Sequence, residues 1–191
     1  MNTGIDVVIP WVDGNDPAHV AKRKRYADTG KADSNASPPL EYDLDVRWDN
    51  FDEITICLWS IHNFMGWVRR IWIITDNQTP DLSSLPPRFR DKITIVDHTE
   101  IFAGFEDVLP TFNSATIECG ALRIPGLADH FILFNDDVFA TGPLSPDDFI
   151  KDGKIVVRGK PEQRLGRGET LWSKQMRNSA MLAGIDPQKG F

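Results

Sequence analysis

The chain has 191 residues, is 41% hydrophobic and 26% charged, and carries a formal net charge of −7, a composition that describes an ordinary globular polypeptide able to bury a sizeable core. The acidic balance argues against a nucleic-acid binder working through a broad basic face. No stretch approaches the ~18–20 apolar residues of a membrane-spanning helix, and the amino terminus lacks the charged-then-apolar order of a signal peptide, so the expected location is cytoplasmic.

In chain order, Ile5-Asp6-Val7-Val8-Ile9-Pro10 reads as a first strand, ending in the turn-rich Asp13-Gly14-Asn15-Asp16-Pro17. After Pro17 a short helix is expected, with Lys22-Arg23-Lys24-Arg25 as its solvated face. Gly30 to Pro39 is rich in Gly, Ser, Asp, Asn and Pro without apolar periodicity, so a mobile loop is expected over 28–46. From Asp52 onward Ile54, Cys57, Leu58, Ile61, Phe64 and Met65 recur at the three-and-four spacing of an amphipathic helix, with Asp49 or Asn50 as its cap.

Arg70 to Thr75 is a second strand, delivered into Asp76-Asn77-Gln78, and Ile93 to Val96 a third, running into Asp97-His98. Pro110 to Leu122 reads as a helix with Asn113 or Ser114 near its start. Phe131 to Phe134 is a fourth strand, read as buried, and Lys154 to Arg158 a candidate fifth. Cys57 and Cys119 lack metal-ligand spacing and read as buried core thiols.

Strands alternating with helices predict an α/β fold with a mostly parallel sheet flanked by helices, and a single domain over 1–191. A parallel sheet collects its strand exits along one rim, here Asp13, Asp76-Asn77-Gln78, Asp97-His98 and Asn135-Asp136-Asp137. The last cluster is the sharpest signal, because an apolar run stops abruptly at two adjacent carboxylates. Such a pair at a strand exit could hold a hard divalent cation and, through it, a diphosphate. It could equally be a turn, since Asn and Asp favour turns.

Two stretches carry a family resemblance. Ile5 to Pro17 resembles the first conserved region of the Stealth family of sugar-phosphate transferases. Arg47 to Phe149 resembles its second region, with Glu53, Ser60-Ile61, Trp67-Val68, Ile74-Thr75, Gln78, His98, Leu109 to Ser114, Ile117-Glu118, Arg123-Ile124 and Phe134 to Val138 in the expected order. The resemblance implies a nucleotide-sugar-binding core of glycosyltransferase A-like or Rossmann-like type. The implied reaction moves a hexose 1-phosphate from a UDP-hexose to a hydroxyl of a polysaccharide or other glycan acceptor in capsule or exopolysaccharide synthesis, releasing UMP.

On that reading Asn135, Asp136 and Asp137 are the catalytic candidates, and Asp136 and Asp137 the ligands of Mg²⁺ or Mn²⁺. One of the two could instead take the acceptor proton. Substrate-binding candidates are Asp13, Gly14, Arg47, Gln78, Asn113, Ser114, Glu118 and Arg123. Asp13 could instead fix its turn, Asn113 and Ser114 could be caps with no ligand, Glu118 a solvated helix position, and Arg47 and Arg123 partners of carboxylates. His98 could be a base, a sugar contact or a structural residue. Arg164 to Glu169 could close over a diphosphate or be a connector.

The sequence also departs from the family pattern. The third region, which supplies a histidine, and the short fourth region are not in this chain, which therefore reads as the amino-terminal part of a longer catalytic domain. Asn50 stands where an acidic residue is often found. Two alternatives follow: a metal-dependent glycosyltransferase that releases UDP, and a non-catalytic sugar-binding remnant. No nucleic-acid partner is expected; a peripheral association with a membrane is compatible with this reading.

Overall fold

The computed structural model describes residues 4–28, 50–156, 158, 177 and 181. The predictions for 28–46 beyond Asp28, for Arg47 and for Arg164 to Glu169 lie outside the described residues. The chain divides into two compact units, Met1–Pro146 and Asp147–Phe191.

The first unit is built on a four-stranded sheet of order β3-β2-β1-β4, all parallel. Its strands are β1 (Ile5–Pro10), β2 (Ile71–Thr75), β3 (Ile93–Asp97) and β4 (His130–Leu133). Helices α1 (Pro17–Asp28) and α2 (Glu53–Phe64) lie between β1 and β2, the short α3 (Pro87–Arg90) between β2 and β3, and α4 (His98–Ile101) and α5 (Ser114–Gly120) between β3 and β4. The predicted α/β architecture with a parallel sheet and flanking helices is what the chain adopts.

Alternation along the central strands sends neighbouring side chains to opposite faces. Val8, Trp72, Ile74 and Val96 form one core with Ile101, Phe102, Ala121 and Ile124 from the α4–α5 side. Val7, Ile9, Ile71 and Ile73 are fully buried on the other face. Helix α2 carries its own buried stripe of Ile54, Cys57, Leu58 and Ile61, the three-and-four spacing that the sequence displayed. Close packing on the first face needs Gly120, since a β-carbon there would stand 2.9 Å from Ile101 Cδ1 and 3.0 Å from Phe102 Cζ.

Several expectations are corrected. Strand β4 is not buried: it lies at the sheet edge among the described residues, with Leu133 41% exposed. One apolar run cannot distinguish a central strand from an edge strand, because both pack at least one face. Helix α5 is shorter than Pro110 to Leu122, beginning at Ser114 after the Asn113 cap and passing into a 3-10 turn at Ala121–Arg123. Cys119 is exposed, because α5 turns Ile117 and Gly120 towards the core and leaves position 119 outside. Asp52, at a φ of 64°, occupies the cap position of α2 in place of Asp49 or Asn50. The basic run of α1 is only partly solvated, as Lys22 and Arg23 turn back onto the strand exits.

In the second unit, the predicted fifth strand is a pair of short antiparallel strands, β5 (Ile150–Lys151) and β6 (Lys154–Ile155). Asp152 and Gly153 join them with φ of 53° and 72°, the left-handed pair of a two-residue hairpin turn. Arg158 Nη2 caps this unit's described portion with a 2.8 Å bond to Asp148 Oδ1.

Candidate functional site

The strand order reverses between β1 and β4, since β1, β2 and β3 step one way and β4 returns to the free side of β1. In open α/β sheets the crevice beyond the carboxyl ends at such a reversal is where ligands bind. Asp13 follows β1 there, and Asn135, Asp136 and Asp137 follow β4. The Phe134 N–H donates to Val8 O at 2.9 Å, so β4 stays attached to β1 up to the acidic turn. Beyond that point no side-chain hydrogen bond among the described residues joins 11–14 to 135–138.

The other exits are tied together. The Gln78 amide clamps Asp13 in both directions, accepting from Asp13 N at 2.9 Å and donating to Asp13 O at 2.9 Å. Asp13 Oδ1 accepts from Asn15 N at 3.0 Å, closing the turn in which Gly14 is buried. Asp97 Oδ2 accepts from Asn77 N at 2.6 Å, while Oδ1 caps α4 through Thr99 N. The rim expected from the sequence therefore exists as a hydrogen-bonded series from β3 to β1, followed by a gap at the reversal point.

Across that gap, Asp136 is half-buried and faces α2. Burial pushes its carboxyl above the usual aspartate range, and the charges of Asp137 and Glu53 add to the push against the Asp136 and Asp137 backbone N–H groups. Salt-bridged cations are absent from Asp136, Asp137 and Glu53 among the described residues. Beneath them the Cys57 thiol donates to Asn135 O at 3.8 Å. Burial, with Asp136 and Asp137 adding to it, pushes this thiol up to about 12, so it remains neutral and unreactive at physiological pH.

A cavity of about 720 Å³ opens on the α1 side of the rim, lined by Lys22, Arg25, Tyr26, Asp76, His98 and Pro110 among others. Lys22 Nζ holds both oxygens of Asp76, at 2.7 and 2.8 Å, and His19 Nδ1 lies 3.6 Å from Asp76 Oδ2. Burial lowers the proton affinity of both His19 and His98, outweighing the attraction of Asp76. Both imidazoles are thus neutral near pH 7. That volume falls in the range of small-molecule sites.

The remaining candidates are distributed more widely. Asn113 Oδ1 accepts from Thr116 N at 3.3 Å as the cap of α5, beside an exposed Ser114, and Glu118 is half-exposed along that helix. Arg123 is engaged away from the acidic turn: its Nη2 donates to Ala103 O, and its guanidinium lies 4.6 Å over the Phe105 ring. Sequence reasoning did not single out His19 and Asp76 as partners. The signal was present, because His19 and Lys22 are three apart and fall on one face of a helix.

Among the described residues no group of three or more His, Cys, Asp or Glu side chains forms a preassembled metal cage. An uncompensated carboxylate pair suits the open kind of site, in which Mg²⁺ takes one or two carboxylates and completes its shell with water and phosphate oxygens. No helix among the described residues is long and apolar enough to cross a membrane.

Residues 3–31 match the family model of Stealth protein conserved region 1, and residues 47–157 that of conserved region 2. The chain is 41% identical over 183 residues to the capsular polysaccharide phosphotransferase cps1A of Actinobacillus pleuropneumoniae, an alignment covering 95% of this chain and 46% of that protein. It is 36% identical over 209 residues to the capsular polysaccharide phosphotransferase WcwK of Streptococcus pneumoniae, covering 98% and 58%. It is 35% identical over 148 residues to the exopolysaccharide phosphotransferase cps2G of Lactiplantibacillus plantarum, covering 78% and 40%. The chain spans about half the length of the curated relatives it matches. On the extent of these matches and the sheet that underlies them, the chain belongs to the Stealth protein family.

Proposed function

We propose that this chain binds a UDP-hexose at the carboxyl ends of its sheet and takes part in transferring hexose 1-phosphate to a glycan hydroxyl, with release of UMP. The observation that carries this reading is the uncompensated Asp136-Asp137 pair at the point where the strand order reverses. The relatives named capsular and exopolysaccharide phosphotransferases support the reaction class and the polysaccharide setting.

Asp136 and Asp137 are the residues that would hold Mg²⁺ or Mn²⁺. Such a cation, when bound, neutralises charge on the diphosphate as the acceptor oxygen approaches the phosphorus. This chain's own groups do the rest of the donor binding. The Gln78 clamp keeps the β1 turn in one conformation, so that Asp13 and the Gly14 backbone border the diphosphate position without reorganising. From β4 to β2 is two strand spacings, roughly 10 Å, comparable to the reach from a diphosphate to its nucleoside. The cavity beside Asp76 thus suits the nucleoside, with neutral His98 as a hydrogen-bonding group and Tyr26 as a flat apolar wall. Lys22 adds positive potential there while Asp76 holds its ammonium in place.

The test is product analysis with a UDP-hexose, Mg²⁺ or Mn²⁺ and a capsule-type glycan acceptor. UMP release with phosphate retained in the glycan is expected. UDP release would replace the reading with sugar transfer, and metal-dependent donor binding without turnover would reduce it to a sugar-nucleotide binding role.

A further inference from the structure

Helix α2 contributes more than core packing, because it grips both ends of the acidic turn. Ser60 is buried on the same helix as Cys57, one turn further on. Its hydroxyl donates to Cys57 O at 2.7 Å, the local back-bond that buried helical serines make. That bond fixes the rotamer and leaves a lone pair facing outward. The outward lone pair accepts from Ala140 N at 3.0 Å, a buried bond between positions 80 apart in sequence. Cys57 Sγ meets the other end of the turn at Asn135 O. Past Ala140 the chain remains on α2 and its flank: Leu144 N donates to Phe64 O at 3.0 Å, and Trp67 Nε1 donates to Leu144 O at 2.7 Å.

Residues 135–140 thus form a span held at Asn135 by Cys57 and at Ala140 by Ser60, with Asp136 and Asp137 between the two attachment points. Neither carboxylate side chain is fixed by a cation, so the backbone span is what sets where their oxygens stand relative to the β1 exit. Carboxylates that repel each other, and Glu53 beside them, spread apart unless the chain carrying them is restrained.

We infer that Ser60 is a positioning residue for the Asp136-Asp137 pair, acting through the Ala140 amide to hold the acidic turn in its cation-binding conformation. The inference rests on the proposed metal role of that pair. Groups that orient metal ligands typically cost 10–100-fold in metal affinity when removed. Ser60→Ala removes the acceptor from a buried amide without adding bulk, whereas Ser60→Thr keeps the hydroxyl. Ile61→Val, one position along α2 and fully buried, serves as a packing control at a residue with no hydrogen bond to the turn.

The experiment is Mn²⁺ titration of the chain by electron paramagnetic resonance, alongside amide exchange at Ala140. In Ser60→Ala, Mn²⁺ affinity is expected to fall roughly 10–100-fold, with faster exchange at Ala140. Ser60→Thr restores both, and Ile61→Val leaves both unchanged even if it melts lower. Wild-type affinity in Ser60→Ala overturns the inference while the metal reading stands. Absence of Mn²⁺ binding to the wild-type chain overturns the metal reading, and the inference with it. Should Ser60→Ala fail to fold, Cys57→Ala releases the opposite end of the span: weakened Mn²⁺ binding there supports the restraint, and unaltered binding overturns it.

Discussion

At the amino-terminal end of β1, Asp6 is fully buried and its carboxylate accepts from Arg69 Nε at 2.8 Å, Arg69 Nη2, Trp72 Nε1 at 2.8 Å and Ala128 N at 2.9 Å. At the carboxyl end of the sheet, Asp136 is half-buried beside two more carboxylates, with no described cation in reach. The first arrangement satisfies the charge from within the chain, and its burial is therefore stable. The second leaves negative potential directed at the crevice, which is a cost unless a ligand relieves it. Asp6 on β1 and Asp136 in the turn after β4 thus differ in their partners as well as in their depth: the more deeply buried carboxylate is the compensated one.

Three changes would break or sharpen that contrast, in falling order of expected size. Asp6→Ala strips Trp72 and Ala128 of their acceptor and leaves Arg69 without its counter-charge, and a loss of about 3–5 kcal/mol is expected in chemical denaturation. A cost under about 1 kcal/mol would show that the Asp6 network is not what secures that end of the sheet.

Asp136→Asn or Asp137→Asn is expected to lower metal-dependent turnover by roughly 100-fold or more while the fold is kept. The stability effect has the opposite sign from that at Asp6. A carboxyl raised by folding favours the native state at low pH, and that contribution is lost as pH rises through its folded value. At neutral pH the ionised Asp136 is therefore a cost, and metal-free Asp136→Asn should melt a few degrees higher than wild type. A lower melting temperature would mean that Asp136 is held by partners, as Asp6 is.

The smallest effect concerns the neutral histidines beside the cavity. Folding lowers the pKa of His19 and His98, so the unfolded chain binds more protons once the pH falls below about 6.5. Stability should decline from there towards lower pH, and His98→Gln should flatten that decline. An unchanged slope in the variant would show that His98 does not titrate on unfolding.

Much of this was legible in the residues. Ile5 to Pro10 and Arg70 to Thr75 are short apolar runs ended by turn residues, and they became central strands with only a one-residue shift. The α2 stripe likewise follows from its spacing. The rim followed from topology, because parallel strands must end on one side. What stayed hidden depended on partners distant in sequence. Lys22 reads as surface charge until Asp76, 54 positions away, is beside it. Asn113 reads equally well as cap or phosphate ligand, and in the structure its amide oxygen caps α5 at Thr116 N.

By itself, the sequence determined the class of fold and the address of the acidic pair, because hydrophobic period and strand-end polarity are local properties of the chain. Tertiary structure alone decided which carboxylates are neutralised within the chain and which, among the described residues, have no salt-bridged cation. Charge compensation requires groups distant in sequence to be brought together: Asp6 and Arg69 lie 63 positions apart, and Lys22 and Asp76 lie 54. No local pattern specifies such pairings, and they are what separate the compensated Asp6 from Asp136, which has no salt-bridged cation among the described residues.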